Sequence, residues 1–261
     1  MDDRSVVRLG LLLLSVCASS AEAAELAVRG QVWFPMLDGD AQVSEGPIQG
    51  TEVDLEDDLG VDTSEIAPGA DIVVRFLNRN TFFFSYWRAG FEGDKILEQT
   101  IIVGDKVYPV ASRVKTELDF DVFEVGYRFD VIRTDPVSAG LFLDVETFLL
   151  HAKIEDTTGF ASEEEDLPIP IPTVGAAVDA KIIPEWLSVK ARINGMGFDA
   201  GDIEATFLDV SGEAELHLTD NIGAFAGYRF MMLDGEGEAD DEELALDVTL
   251  QGAFVGAGLR F

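Results

Sequence analysis

Cysteine is nearly missing from this chain. Its 261 residues contain one, Cys17, near the start. Past that position neither a disulfide nor a thiolate or zinc–sulfur site is available. Basic residues are also scarce: 18 Lys and Arg face 50 Asp and Glu, a formal net charge of −32. Nucleic acid is excluded as a partner, because phosphate binding needs a basic surface. There are two histidines, His151 and His217, which leaves little room for imidazole chemistry. No run of 18 or more apolar residues occurs, so no transmembrane helix is expected. Neither Gly-x-Ser-x-Gly nor a phosphate-binding glycine loop is present. No catalytic residue and no cofactor is expected.

The first residues read as an export signal. Arg4 and Arg8 precede a short apolar run from Leu9 to Val16, and Ala21-Glu22-Ala23 follows with the small-x-small pattern of a cleavage site. Leu14-Ser15-Val16-Cys17 is a poor lipoprotein site, since Val16 is bulky where a small residue is needed. The expectation is a signal peptide over 1–24 and one domain over 25–261.

Within that domain, period-2 alternation recurs over ten or more residues, the pattern of strands with two unlike faces. Ten segments follow from it: 25–37, 67–78, 81–94, 112–131, 137–154, 170–183, 186–197, 203–218, 222–234 and 244–261. Tight turns at Asn78-Arg79-Asn80, Arg133 to Pro136, Pro184-Glu185 and Thr219-Asp220-Asn221 alternate with longer connections. Soluble strands run to about 5 or 6 residues, whereas a tilted bilayer span needs about 9 to 11. The expected fold is all-β: a single antiparallel transmembrane β-barrel of about ten strands, with short periplasmic turns and long acidic outer loops. Eight or twelve strands remain open, depending on whether 95–110 is a loop hairpin about Gly104-Asp105-Lys106 or an extra pair; the hairpin is favoured.

Sorting residues by face separates the charges. The loop over 38–66 holds ten acids and no base, and 234–247 is equally one-sided. Glu155, Asp156, Glu163, Glu164, Glu165 and Asp166 make a third such run. The face assigned to the barrel interior carries Asp71, Glu124, Asp144, Glu146, Asp179, Asp209, Glu213 and Glu215. Opposite them stand Arg29, Arg75, Arg88, Arg128, Lys181, Lys190, Arg192, Arg229 and Arg260. Near-balance is what an enclosed space demands, because an unpaired buried charge is costly. The lumen is therefore expected to be plugged by ion pairs. Tyr127, Phe129, Trp186 and Phe261 are expected to form an aromatic belt near the short turns, and Phe34, Phe91 and Phe230 the opposite one.

Two features bear on chemistry. Asp54, Glu56, Asp57 and Asp58 are dense enough to attract Ca²⁺ or Mg²⁺ weakly, but lack the spacing of a calcium loop. His151, with Asp156 and Thr157 following, faintly echoes rim histidines of outer-membrane hydrolases and proteases. His217 lies beside Asp220 at the other end.

The alternating last strand, ending on Phe261, resembles the C-terminal strand of outer-membrane proteins, which implies recognition by the barrel-assembly machinery. Asp57-Asp58-Leu59-Gly60, Phe91-Glu92-Gly93 and Pro170-Ile171-Pro172-Thr173-Val174-Gly175 resemble a family of uncharacterised proteobacterial outer-membrane β-barrel proteins. That resemblance implies a Gram-negative outer-membrane location and contact with its lipid, and supplies no active-site residue. The expected role is structural or surface-interacting and non-enzymatic. The alternatives are a narrow cation-preferring pore and, third, a lipid or peptide hydrolase.

Overall fold

A computed structural model describes residues 24–157, 161–200, 203–239 and 242–261; the expected signal peptide lies outside them but for Ala24. Thirteen strands are found among the described residues. They are β1 (Glu25–Glu45), β2 (Val53–Asp54), β3 (Ala67–Phe76), β4 (Asn80–Ile96), β5 (Ile101–Val103), β6 (Lys106–Tyr108) and β7 (Arg113–Arg133). Then come β8 (Val137–Asp156), β9 (Ser162–Ile183), β10 (Leu187–Ala200), β11 (Ile203–His217), β12 (Ile222–Ala239) and β13 (Glu242–Arg260). Ten of them pair with their neighbours in one antiparallel sheet, and β13 closes on β1 from Ala27↔Arg260 to Glu45↔Glu242. β5 and β6 form the separate hairpin expected between 95 and 110.

The outer wall is apolar all the way round. Ile72, Phe82, Val125, Leu143, Val174 and Val255 come from six different strands, and each is more than a third exposed. A two-layer sandwich would bury these side chains against each other. In a closed barrel they stand on the outer face, the side that lipid covers in membrane-spanning barrels. Phe129, Trp186 and Phe261 are exposed near the short turns, as an interfacial belt requires. Phe91 does not join the opposite belt: it is 1% exposed and points inward.

The four short turns fall where expected. At the other end the strands run on. β8 and β9 stay paired to Glu155↔Ser162, β10 and β11 to Ala200↔Ile203, and β12 and β13 to Ala239↔Glu242. The described residues of the acidic runs at 155–166 and 234–247 are thus largely strand extensions, where long loops were expected. A ladder needs only backbone groups, and Asp247 stands between Leu246 and Val248, which pack inward.

One wall is incomplete. The β9–β10 ladder stops at Val174↔Gly195, whereas β9 stays paired with β8 from Ala180 to Ser162. Pro168, Pro170 and Pro172 occupy every second position just beyond that stop. Prolines so spaced delete amide donors along one edge of a strand. Here the depleted edge faces β10.

Inside, the barrel is layered. Towards the long-loop end Trp33, Trp87, Phe91, Phe120, Phe148 and Phe207 form an apolar core, each 5% exposed or less. The connection after β1 folds over it, burying Leu55, Leu59 and Val61, and the β5–β6 hairpin adds Ile101 and Tyr108. Two of the motifs that carried the resemblance meet in this cap. Val61 bridges to Gly93, Asp62 N donates to Glu92 O at 2.8 Å, and Gly60 ends the turn with φ +67°. A β-carbon on Gly93 would lie 2.9 Å from the Leu59 carbonyl oxygen, so only glycine lets the cap approach.

Candidate functional site: the charged lumen

Below the apolar core, towards the short turns, the lumen is polar and encloses a cavity of about 280 Å³ that reaches the turn end. Its walls follow from strand parity. On the inner faces glycines sit opposite rings: Gly126 under Phe83, Gly175 under Phe142, Gly227 under Phe254 and Gly256 under Phe225. The rings in turn support guanidinium groups. Arg192 lies over Phe83 and Phe142, Arg29 over Phe225, and Arg229 within 5.7 Å of both Trp33 and Trp87.

Each cation is tied to carboxylates on other strands. Arg29 Nη2 meets Glu213 at 2.6 Å, and Lys190 bridges Glu213 and Glu215 at 2.8 and 2.6 Å. Arg192 pairs with Glu124 and, at 3.3 Å, with Asp144. Arg229 reaches Glu146 at 3.1 Å and Asp209 at 2.9 Å. Nearer the turns Arg128 links Asp130 and Asp179, and Glu25 joins Arg75 to Arg260. Ser85 donates to Asp71 and Thr173 to Asp144.

Parity places the expected interior charges in the lumen or at its turn-end rim, with one exception. Arg88 shares the outward face of Phe82 and Phe84, is half-exposed, and pairs with Asp119 and Asp121 on the outer wall. Glu25 and Asp130 are inner acids that the face assignment missed. Arg133, which the register shift after Asp130 turns inward to meet Asp130 at 3.2 Å, is an inner base likewise missed, and the count becomes ten acids and nine bases, still near balance. Nor do ion pairs fill the whole lumen: its outer half is closed by the apolar core and cap.

The two histidines lie far apart. His151 is on β8 towards the outer end, with Asp119 and Asp166 as cross-strand neighbours. His217 faces inward near the turns, where Ser188 Oγ lies 3.0 Å from Nε2 and Glu215 3.9 Å from Nδ1. That grouping resembles a nucleophile–base–acid series only in residue type. Ser188 is 7% exposed, and Glu215 is held by Lys190 and Arg260. In the acidic run of the first loop two carboxylates accept from the backbone: Asp57 N donates to Asp54, and Asp54 N to Asp58. Outside the membrane, Arg113 donates twice to Asp94, at 2.6 and 2.8 Å, and holds that carboxyl below its usual range.

No family model and no curated sequence matches the chain. Solved structures do. The outer membrane protease OmpT from Escherichia coli aligns over 90% of this chain and 97% of its own, with TM-score 0.50 and 9% identity. The chain has the fold of an outer-membrane β-barrel. At that identity the likeness extends to the fold alone. The translocator domain of the autotransporter NalP from Neisseria meningitidis aligns over 98% and 96%, with TM-score 0.45 and 10% identity. Ail of Yersinia pestis aligns over 91% and 99%, with TM-score 0.36 and 12% identity. Scores this low add nothing to the argument.

Proposed function

We propose that the protein is an integral outer-membrane barrel that does not conduct, with a structural or surface-interaction role that displays acidic strand extensions outside the cell. The observation that carries this reading is the double closure of the lumen. An apolar core roofed by Leu55, Leu59 and Val61 blocks the outer half, and a cross-strand ion-pair lattice narrows the rest. Water and ions cross an apolar constriction only at a large solvation cost. The acids of the extensions stand where a partner outside the cell would meet them first.

Planar-bilayer recording of the refolded protein tests the reading, with a silent membrane as the expected result. Steady cation-selective steps would replace it with the pore reading. Turnover of outer-membrane lipids or peptides that is lost in His151→Ala would replace it with the hydrolase.

A further inference from the structure

The deepest layer of the lumen is out of charge balance. Four carboxylates, Glu124, Asp144, Glu146 and Asp209, are each 5% exposed or less. Among the described residues only two cations, Arg192 and Arg229, pair with them. With all four ionised, two negative charges are left over in an enclosed space, where an unpaired charge is strongly disfavoured. Oxygens of Glu124, Asp144 and Glu146 lie within 4.8 Å of one another. An ion with oxygen ligands at about 2.3–2.6 Å spans roughly 5 Å between opposite donors.

A second observation is independent of the clustering. Glu146 has no accessible surface, and its Oε2 has no hydrogen-bond donor among the described residues. Asn194, 1% exposed, sets its amide against Asp144 and Thr173 through Nδ2, while its Oδ1 has no partner among them. Two buried acceptors without donors beside surplus carboxylates are what a missing cation would leave.

We propose that Glu124, Asp144 and Glu146, assisted by Asn194, form a divalent-cation site of the calcium class inside the lumen. The donors are hard oxygens, which select Ca²⁺ or Mg²⁺ over softer metals. Calcium fits better, because magnesium needs a tighter octahedron at about 2.0–2.1 Å and sheds its waters reluctantly. Charge neutrality fixes the valence at two. Entry is from the turn end, since Glu124 and Asp209 line the cavity that opens there. The site is distinct from the acidic strand extensions and does not depend on whether the barrel conducts.

The test uses the full chain refolded in detergent, stripped with chelator and titrated with Tb³⁺. Trp33 and Trp87 lie against Arg229, which bonds Glu146, so they would sensitise emission from an ion bound here. The expected result is saturable tryptophan-excited emission, displaced by Ca²⁺. Glu146→Gln and Asn194→Leu should each weaken it at least tenfold, and the surface triple D54N/D57N/D58N should leave it unchanged. Absence of tryptophan-excited emission would overturn the proposal. So would an unaltered titration in Glu146→Gln, or loss of signal in the surface triple. Should the lumen variants fail to fold, the wild-type chain decides. Ca²⁺ must raise its unfolding temperature over that in chelator, and no shift would mean that the carboxylates are neutralised by protons instead.

Discussion

Arg229→Met removes the most heavily engaged cation of the lumen while keeping most of its stem. The guanidinium contacts Glu146 and Asp209 at 3.1 and 2.9 Å, and its side chain is 12% exposed. Breaking a buried ion pair from one side costs about 3–5 kcal/mol, because the remaining charge stays buried without its partner. Two acids are stranded here, in a layer that would hold four carboxylates and Arg192 alone. Loss of the contacts with Trp33 and Trp87 adds about 1 kcal/mol. Methionine packing recovers part of this, so the net cost should be about 3–5 kcal/mol. That corresponds to roughly two to three and a half powers of ten in the folding equilibrium. Urea unfolding in phospholipid vesicles, followed by tryptophan fluorescence, measures it. Neutralising the stranded acids in R229M/E146Q/D209N should recover at least half the loss. A cost below about 1 kcal/mol for the single variant, or a triple no better than the single, would refute the ion-pair account of the lumen.

Three further outcomes follow from other parts of the barrel. Gly93→Val drives a side chain into the Leu59 carbonyl and should lift the cap, costing about 1–3 kcal/mol as overpacking does; faster proteolysis within 46–66 is the readout. Replacing Pro168, Pro170 and Pro172 by alanine restores three donors. It should extend the β9–β10 ladder past Val174↔Gly195 and slow amide exchange at 196–200. Asp94 has a depressed folded pKa because of Arg113, so its contribution to stability is present above the unfolded value and lost as pH falls through the folded one. Arg113→Met should move the Asp94 titration, followed by NMR, back up to the ordinary carboxylate range.

The residues that sequence reading placed correctly share a clean parity. β11 runs Leu208, Val210, Ala214 and Leu216 against Asp209, Glu213 and Glu215, and no other register satisfies both faces. Arg88 was misplaced because β4 is aromatic on both faces: Phe82 and Phe84 look out, Phe83 and Trp87 look in. Without an apolar–polar contrast the period carries no phase. The strand extensions were missed because an acidic run looks like a loop, although charge on the side chains leaves the backbone ladder intact. The apolar core was missed for a different reason. Trp33, Phe148 and Phe207 lie on the same parity as the inner charges a few residues away, and a period of two carries no mark of depth along the strand. The buried acid cluster was legible only as separate residues. That Glu124, Asp144 and Glu146 converge depends on how the β7–β8 register sets Glu124 opposite Glu146.

The length of the strands also sets where any encounter takes place. β7 has 21 residues, about 70 Å of chain at roughly 3.3 Å per residue. At a tilt near 40° it rises about 53 Å, and an apolar band of about 25 Å accounts for less than half of that. Headgroup layers bring the bilayer to about 40–45 Å, so a collar of roughly 10 Å stands clear of it. That is a little over one Debye length at physiological salt, so charges at its summit are largely screened from charges at its foot. An acidic crown on the strand ends is thereby held where repulsion from the membrane surface is weak.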